Sequence, residues 1–179
     1  MYFYPIWIRI WHWINTILCL LLIVTGISMQ YSSMEASLIR FDKAVSIHNF
    51  CGIALTLSYL IFFIGNLRTE NGKHYLLQYK GLWKRISRQF RYYLVGMFRK
   101  EQPPFPINEE NKFNPLLRIS YVLIMYVGLP LLFITGWALL FPEFILDKLF
   151  GLSGIFLTAI FHQVLGFLIS LFMILHIYL

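Results

Sequence analysis

The chain has 179 residues, 59% of them hydrophobic and 13% charged, with a net charge of +7. Soluble domains are typically about 25% charged, so the composition excludes an ordinary soluble domain and describes an integral membrane protein. The basic excess accompanies no recognition motif for nucleic acid; its expected partner is anionic membrane lipid.

Four runs are long and apolar enough to cross about 30 Å of hydrocarbon as helices: 7–29, 45–67, 116–141 and 154–179. Together they predict one all-α domain over residues 1–179, a four-helix bundle in the membrane. The first run is too long and too aromatic for a cleaved leader and has no small-residue cleavage site after it, so it reads as a retained span. It carries His12 near its start and ends at Thr25-Gly26. A short loop over 30–44 leads to the second span, which holds His48 near its start. Cys19 and Cys51 fall inside spans one and two, outside any CxxCH context. They read as buried structural thiols, and covalent haem attachment is not expected.

Between Arg68 and Lys112 lie ten of the fifteen lysines and arginines. Basic residues favour cytoplasmic loops, which places this loop and, by alternation, both termini in the cytoplasm. Within it, 75–99 reads as an amphipathic helix in the headgroup layer. Leu82, Trp83, Ile86, Phe90, Tyr93, Leu94 and Met97 share one arc, and Lys80, Lys84, Arg85, Arg88 and Arg91 the other. His74 reads as a solvated loop residue. Pro103, Pro104 and Pro106 keep the following connector out of a helix. Span three carries Gly128 and Pro130, where a kink is expected.

Span four, 154–179, contains no Asp, Glu, Lys or Arg, yet holds His162 and His176. A titratable group deep in hydrocarbon is costly and marks function by default. Fourteen helical residues rise about 21 Å and return to within about 40° of the same face. One helix therefore offers two imidazoles to one side, too far apart for a single metal ion. The alternating spans sort the histidines by depth: His12 with His176 in the inner leaflet, His48 with His162 in the outer. Each pair supplies two axial ligands from different helices at one depth, the requirement of a b-type haem. Filling both axial positions favours electron transfer over oxygen binding. Neither pair has the carboxylate or thiolate that a copper or zinc site would add. Gly52 follows His48 by four and Gly166 follows His162 by four, leaving side-chain-free surface for a flat macrocycle.

The stretch Arg9-Ile-Trp-His12-Trp-Ile-Asn leading to Thr25-Gly26, and the His162…His176 helix ending His-Ile-Tyr-Leu, resemble the four-helix bacterial cytochrome b561-like family. The similarity is greatest to the membrane cytochrome b subunits of formate dehydrogenase, thiosulfate reductase and nickel–iron hydrogenase, over nearly the whole chain. The resemblance implies the same histidine pairs, His12–His176 for a cytoplasmic-side haem b and His48–His162 for an outer one.

It also implies a quinone site near Asn114, in the Lys112-Phe113-Asn114 segment before span three. Where the formate dehydrogenase branch has Gln-Lys, this chain has Leu117-Arg118. The expected function is electron transfer across the bacterial cytoplasmic membrane. It would run between the menaquinone or ubiquinone pool and an extracytoplasmic partner, a cytochrome c, iron–sulfur or molybdenum protein of a respiratory chain. The alternatives are a stand-alone quinone-coupled b561-type oxidoreductase and a haem-free membrane anchor. Leu179, still apolar, stands three residues beyond His176; a polar tail is expected after it.

Overall fold

The computed structural model describes residues 5–32, 38–75, 79–106, 113–149 and 151–178. Four helices meet the length and hydropathy of a membrane span: Ile6–Gln30, Phe41–Arg68, Pro115–Leu140 and Gly154–Ile177. They lie within a few residues of the apolar runs, because length in hydrocarbon and helix length are the same constraint. We label the α-helices α1 (Ile6–Gln30), α2 (Phe41–Arg68), α3 (Leu82–Arg91), α4 (Pro115–Leu123), α5 (Leu129–Leu140) and α6 (Gly154–Tyr178). By contacts the chain divides into two units, one over 1–4 and 63–127, the other over 5–62 and 128–179.

The second unit is a four-helix bundle. Trp11 of α1 stacks on Phe62 of α2 with ring centroids 4.2 Å apart, and its indole N–H donates to the Ser58 carbonyl at 2.9 Å. Asn15 adds a 2.8 Å bond to the Ser58 hydroxyl. Tyr59 packs against Phe133 of α5, and the Trp137 indole reaches Thr56 at 3.3 Å. Gln163 of α6 returns to Gln30 of α1 at 2.6 Å, which completes the ring of helices. Ser28 is 2% exposed and bonds both the N–H and the carbonyl of Ile39, pinning the end of α1 to the chain entering α2. Before α6 the backbone makes a two-stranded antiparallel hairpin, β1 (Lys148–Leu149) and β2 (Leu152–Ser153). Gly151 turns it at φ +80, a conformation open to glycine at little cost. Nothing in the hydropathy pattern marked this hairpin.

The first unit holds the loop between spans two and three. A 3₁₀ helix over Glu70–Tyr75 follows α2. The interfacial helix is shorter than 75–99. It starts after Gly81, at φ +68, and runs as α3 into a π-turn over Tyr92–Gly96. Its expected start falls partly at 76–78, outside the described residues, as does Lys112; the side chain of His74 is outside them too. The apolar arc also divides. Leu82, Ile86 and Tyr93 turn inward together with Gln89, which is 3% exposed, whereas Trp83, Phe90 and Leu94 stay more than half exposed beside Lys84, Arg88 and Arg91. An aromatic cluster of Phe63, Tyr75, Phe113, Tyr121 and Tyr126 fills the unit, and Asn66 bonds the Tyr126 hydroxyl at 3.3 Å. Pro130 makes its mark as a π-turn over Ile124–Gly128. The wider turn accommodates a ring that has no N–H to donate and presses on the preceding turn.

Candidate haem-ligand pairs

All four span histidines lie in the bundle unit, and they meet as the two expected pairs. The ring centroids of His12 (α1) and His176 (α6) are 6.2 Å apart. Those of His48 (α2) and His162 (α6) are 6.4 Å apart. Metal–imidazole bonds of about 2.0–2.1 Å bring two rings bound to one metal to roughly this separation, about 6.3 Å between centres. The rings are too far apart to hydrogen-bond each other, and the spacing suits an atom between them.

Helix periodicity explains the arrangement. Fourteen residues return α6 to nearly one face, so His162 and His176 serve opposite ends of the bundle. Phe172 stacks on His176 at 5.8 Å, nearly parallel at 15°, and Trp13 meets His12 edge-on at 5.9 Å. A Cβ added at Gly52 or at Gly166 would meet no atom within 4 Å, so surface one turn past each outer histidine is unfilled by side chains. These residues fit a haem. Among the described residues, no three His, Cys, Asp or Glu gather to cage a bare ion.

The outer pair has a second layer that composition and spacing left unassigned. Thr25 of α1 lies 2.9 Å from His48 Nδ1, and Thr135 of α5 lies 2.9 Å from His162 Nδ1. Thr25 is 1% exposed and Thr135 is 7% exposed. Each threonine is followed by a glycine that lets the ring approach. A Cβ at Gly26 would stand 3.6 Å from His48 Cε1, and one at Gly136 would stand 3.2 Å from His162 Cε1. The signal was in the sequence as a repeated dipeptide, Thr25-Gly26 and Thr135-Gly136, one copy in each helix that gives the outer pair no ligand.

Asn114 sits at the start of α4 as its cap. Its Oδ1 accepts from the Leu117 N–H at 2.9 Å, with Pro115 in the first turn, and its Nδ2 donates to the Tyr93 hydroxyl at 2.9 Å. Cys19 and Cys51 are free thiols.

A family profile described as prokaryotic cytochrome b561 matches residues 3–179. The chain belongs to that family. It is 35% identical over all 179 residues to a protein of Escherichia coli (strain K12) named as the cytochrome YdhU, covering 67% of that protein. It is 27% identical over 154 residues to a Rhodobacter capsulatus protein named as a Ni/Fe-hydrogenase B-type cytochrome subunit. That match takes in 78% of this chain and 54% of the relative. The chain thus spans about two thirds of one relative and about half of the other. No solved structure matches it. This b561-family protein is a multi-pass bacterial membrane b-type cytochrome of electron transfer, and its family carries haem b.

Proposed function

We propose that this cytochrome holds two haems b, one between His12 and His176 and one between His48 and His162. It passes electrons across the cytoplasmic membrane between a quinone pool and an extracytoplasmic redox subunit. The observation that carries the reading is the pair of imidazole separations, 6.2 and 6.4 Å, at opposite ends of α6. A bound haem would supply reversible one-electron chemistry, held by the two imidazoles of a pair. The chain's own residues do the rest. His12, His176, His48 and His162 would hold the two groups, and His162 and His176 share one helix, which would set the spacing between the sites.

The basic loop is cytoplasmic in this reading, as are both termini, which assigns His12–His176 to the inner side and His48–His162 to the outer. The quinone site belongs to the cytoplasmic end, with Asn114 at the mouth of the third span. A partner subunit is supported by the relative named as a Ni/Fe-hydrogenase B-type cytochrome subunit, and its extracytoplasmic place is part of this proposal. Pyridine haemochrome assay of the purified protein tests the core of the proposal: two haems per chain are expected. One haem per chain would overturn it.

A further inference from the structure

We infer that Thr25 and Thr135 are a matched pair of positioning residues, which lock both imidazoles of the outer site in the Nδ1–H tautomer and lower the potential of the haem held there. The inference rests on the two-haem reading and goes beyond it, to the control of one site.

The proton count carries the argument. A threonine hydroxyl has one proton to give and lone pairs to receive. Thr25 Oγ1 lies 2.7 Å from the Leu21 carbonyl and 3.2 Å from that of Leu22. Thr135 Oγ1 lies 2.9 Å from the Leu131 carbonyl and 3.0 Å from that of Leu132. A carbonyl only accepts, so each hydroxyl proton is committed to its own helix backbone. Toward the imidazole 2.9 Å away the oxygen is then left as an acceptor, and Nδ1 of His48 and of His162 must carry the proton. In a neutral imidazole that leaves the lone pair on Nε2. The ring enters the site with its ligating nitrogen already free and its orientation fixed.

Both hydroxyls are buried, where an unmet polar group is costly, so the bonds are held. The next residue is glycine in both copies; a Cβ would meet His48 at an ordinary 3.6 Å at Gly26 and press on His162 at 3.2 Å at Gly136. The two clamps come from α1 onto α2 and from α5 onto α6. Each pair of sequential spans therefore contributes one ligand and one clamp to the outer site. This accounts for the two buried threonines of α1 and α5.

Donation from Nδ1–H makes the ligating nitrogen more basic, and losing such a partner typically changes metal affinity by 10–100-fold. A more basic ligand favours the ferric iron. Removing one hydroxyl is expected to reduce the ferric-over-ferrous preference about tenfold at the low end of that range. That is an upward shift of about 59 mV for a one-electron couple.

The test is a redox titration of the purified holoprotein as wild type, Thr25→Val, Thr135→Val, and the serine variants Thr25→Ser and Thr135→Ser. Haem content and thermal unfolding are measured on each. The expected result is that either valine variant raises one of two midpoint potentials and leaves the other in place, while serine restores the wild-type value. Faster loss of a single haem from the valine variants supports the same conclusion. Two haems retained with both potentials unmoved would overturn the clamp and leave the two-haem reading standing. A wild type with fewer than two haems would overturn that reading and the clamp with it. A valine variant that unfolds is replaced by its serine counterpart against Thr→Ala, where an equal potential in both counts against the clamp.

Discussion

The amide of Asn114 is held at both ends: its nitrogen donates to the Tyr93 hydroxyl, and its oxygen caps α4 through the Leu117 N–H, each at 2.9 Å. The residue is 6% exposed. It ties the interfacial helix to the start of the third span, so any contribution to quinone chemistry is made by a side chain already fixed in place. Asn114→Ala should lower stability by about 1 kcal/mol through loss of the cap, seen as a lower unfolding temperature. Asn114→Asp keeps the capping oxygen and removes the amide donor. It should retain both haems and near-wild-type stability while slowing stopped-flow haem reduction by a menaquinol analogue. An unchanged rate would move the quinone site away from Asn114.

His48→Ala and His162→Ala should each reduce haem content from two per chain to about one, and so should His12→Ala and His176→Ala. Each variant should keep one low-spin haem in its absorption spectrum. The reason is that the pairs share α6 but no ligand. Loss of both haems from every folded single variant would show the sites to be interdependent.

The glycines near the outer pair should separate into two classes. At Gly26 an alanine Cβ stands 3.6 Å from the ring, an ordinary contact, so Gly26→Ala should leave the haem spectrum unchanged. At Gly136 it stands 3.2 Å away and the ring must yield by a few tenths of an ångström, so Gly136→Ala should perturb the outer haem's spectrum. A Cβ at Gly52 or Gly166 meets no atom within 4 Å, so the first atom of the side chain in Gly52→Phe or Gly166→Phe is accommodated. Both variants should nonetheless expel haem while preserving helix content by circular dichroism, because the space they fill is the macrocycle's.

A cysteine replacing Lys84, on the exposed basic face of α3, should react with a membrane-impermeant thiol reagent only when the cytoplasmic side is open to it. The native Cys19 and Cys51 lie within α1 and α2, in spans, and provide the unreactive background. Labelling from outside intact cells would invert the topology and exchange the sides of the two sites.

The four spans were legible before any packing was known, because a helix must satisfy its backbone internally to cross hydrocarbon and a stretch of about 20 apolar residues is visible in the residue order alone. Counting residues along alternating spans also predicted the pairs His12–His176 and His48–His162, whose ring centroids lie 6.2 and 6.4 Å apart. What the sequence could not decide was anything set by how side chains meet across helices. The helical wheel placed Gln89 on neither arc of α3, yet it is buried at 3%, while Trp83 and Phe90 face outward. A wheel ranks residues by type, and here the neighbours around α3 decide which side is inside. Asn114 announced itself by its place before Pro115, but its bond to Tyr93 joins residues 21 apart and depends on the path of the chain between them. Thr25-Gly26 and Thr135-Gly136 repeat a dipeptide whose role the sequence does not state. The two threonines become ligand clamps only because α1 lies beside α2 and α5 beside α6 at the register that brings a hydroxyl to 2.9 Å from an imidazole. Hydrogen bonds of that length require the approach of particular atoms, and interhelical packing, which no single helix specifies, sets that approach.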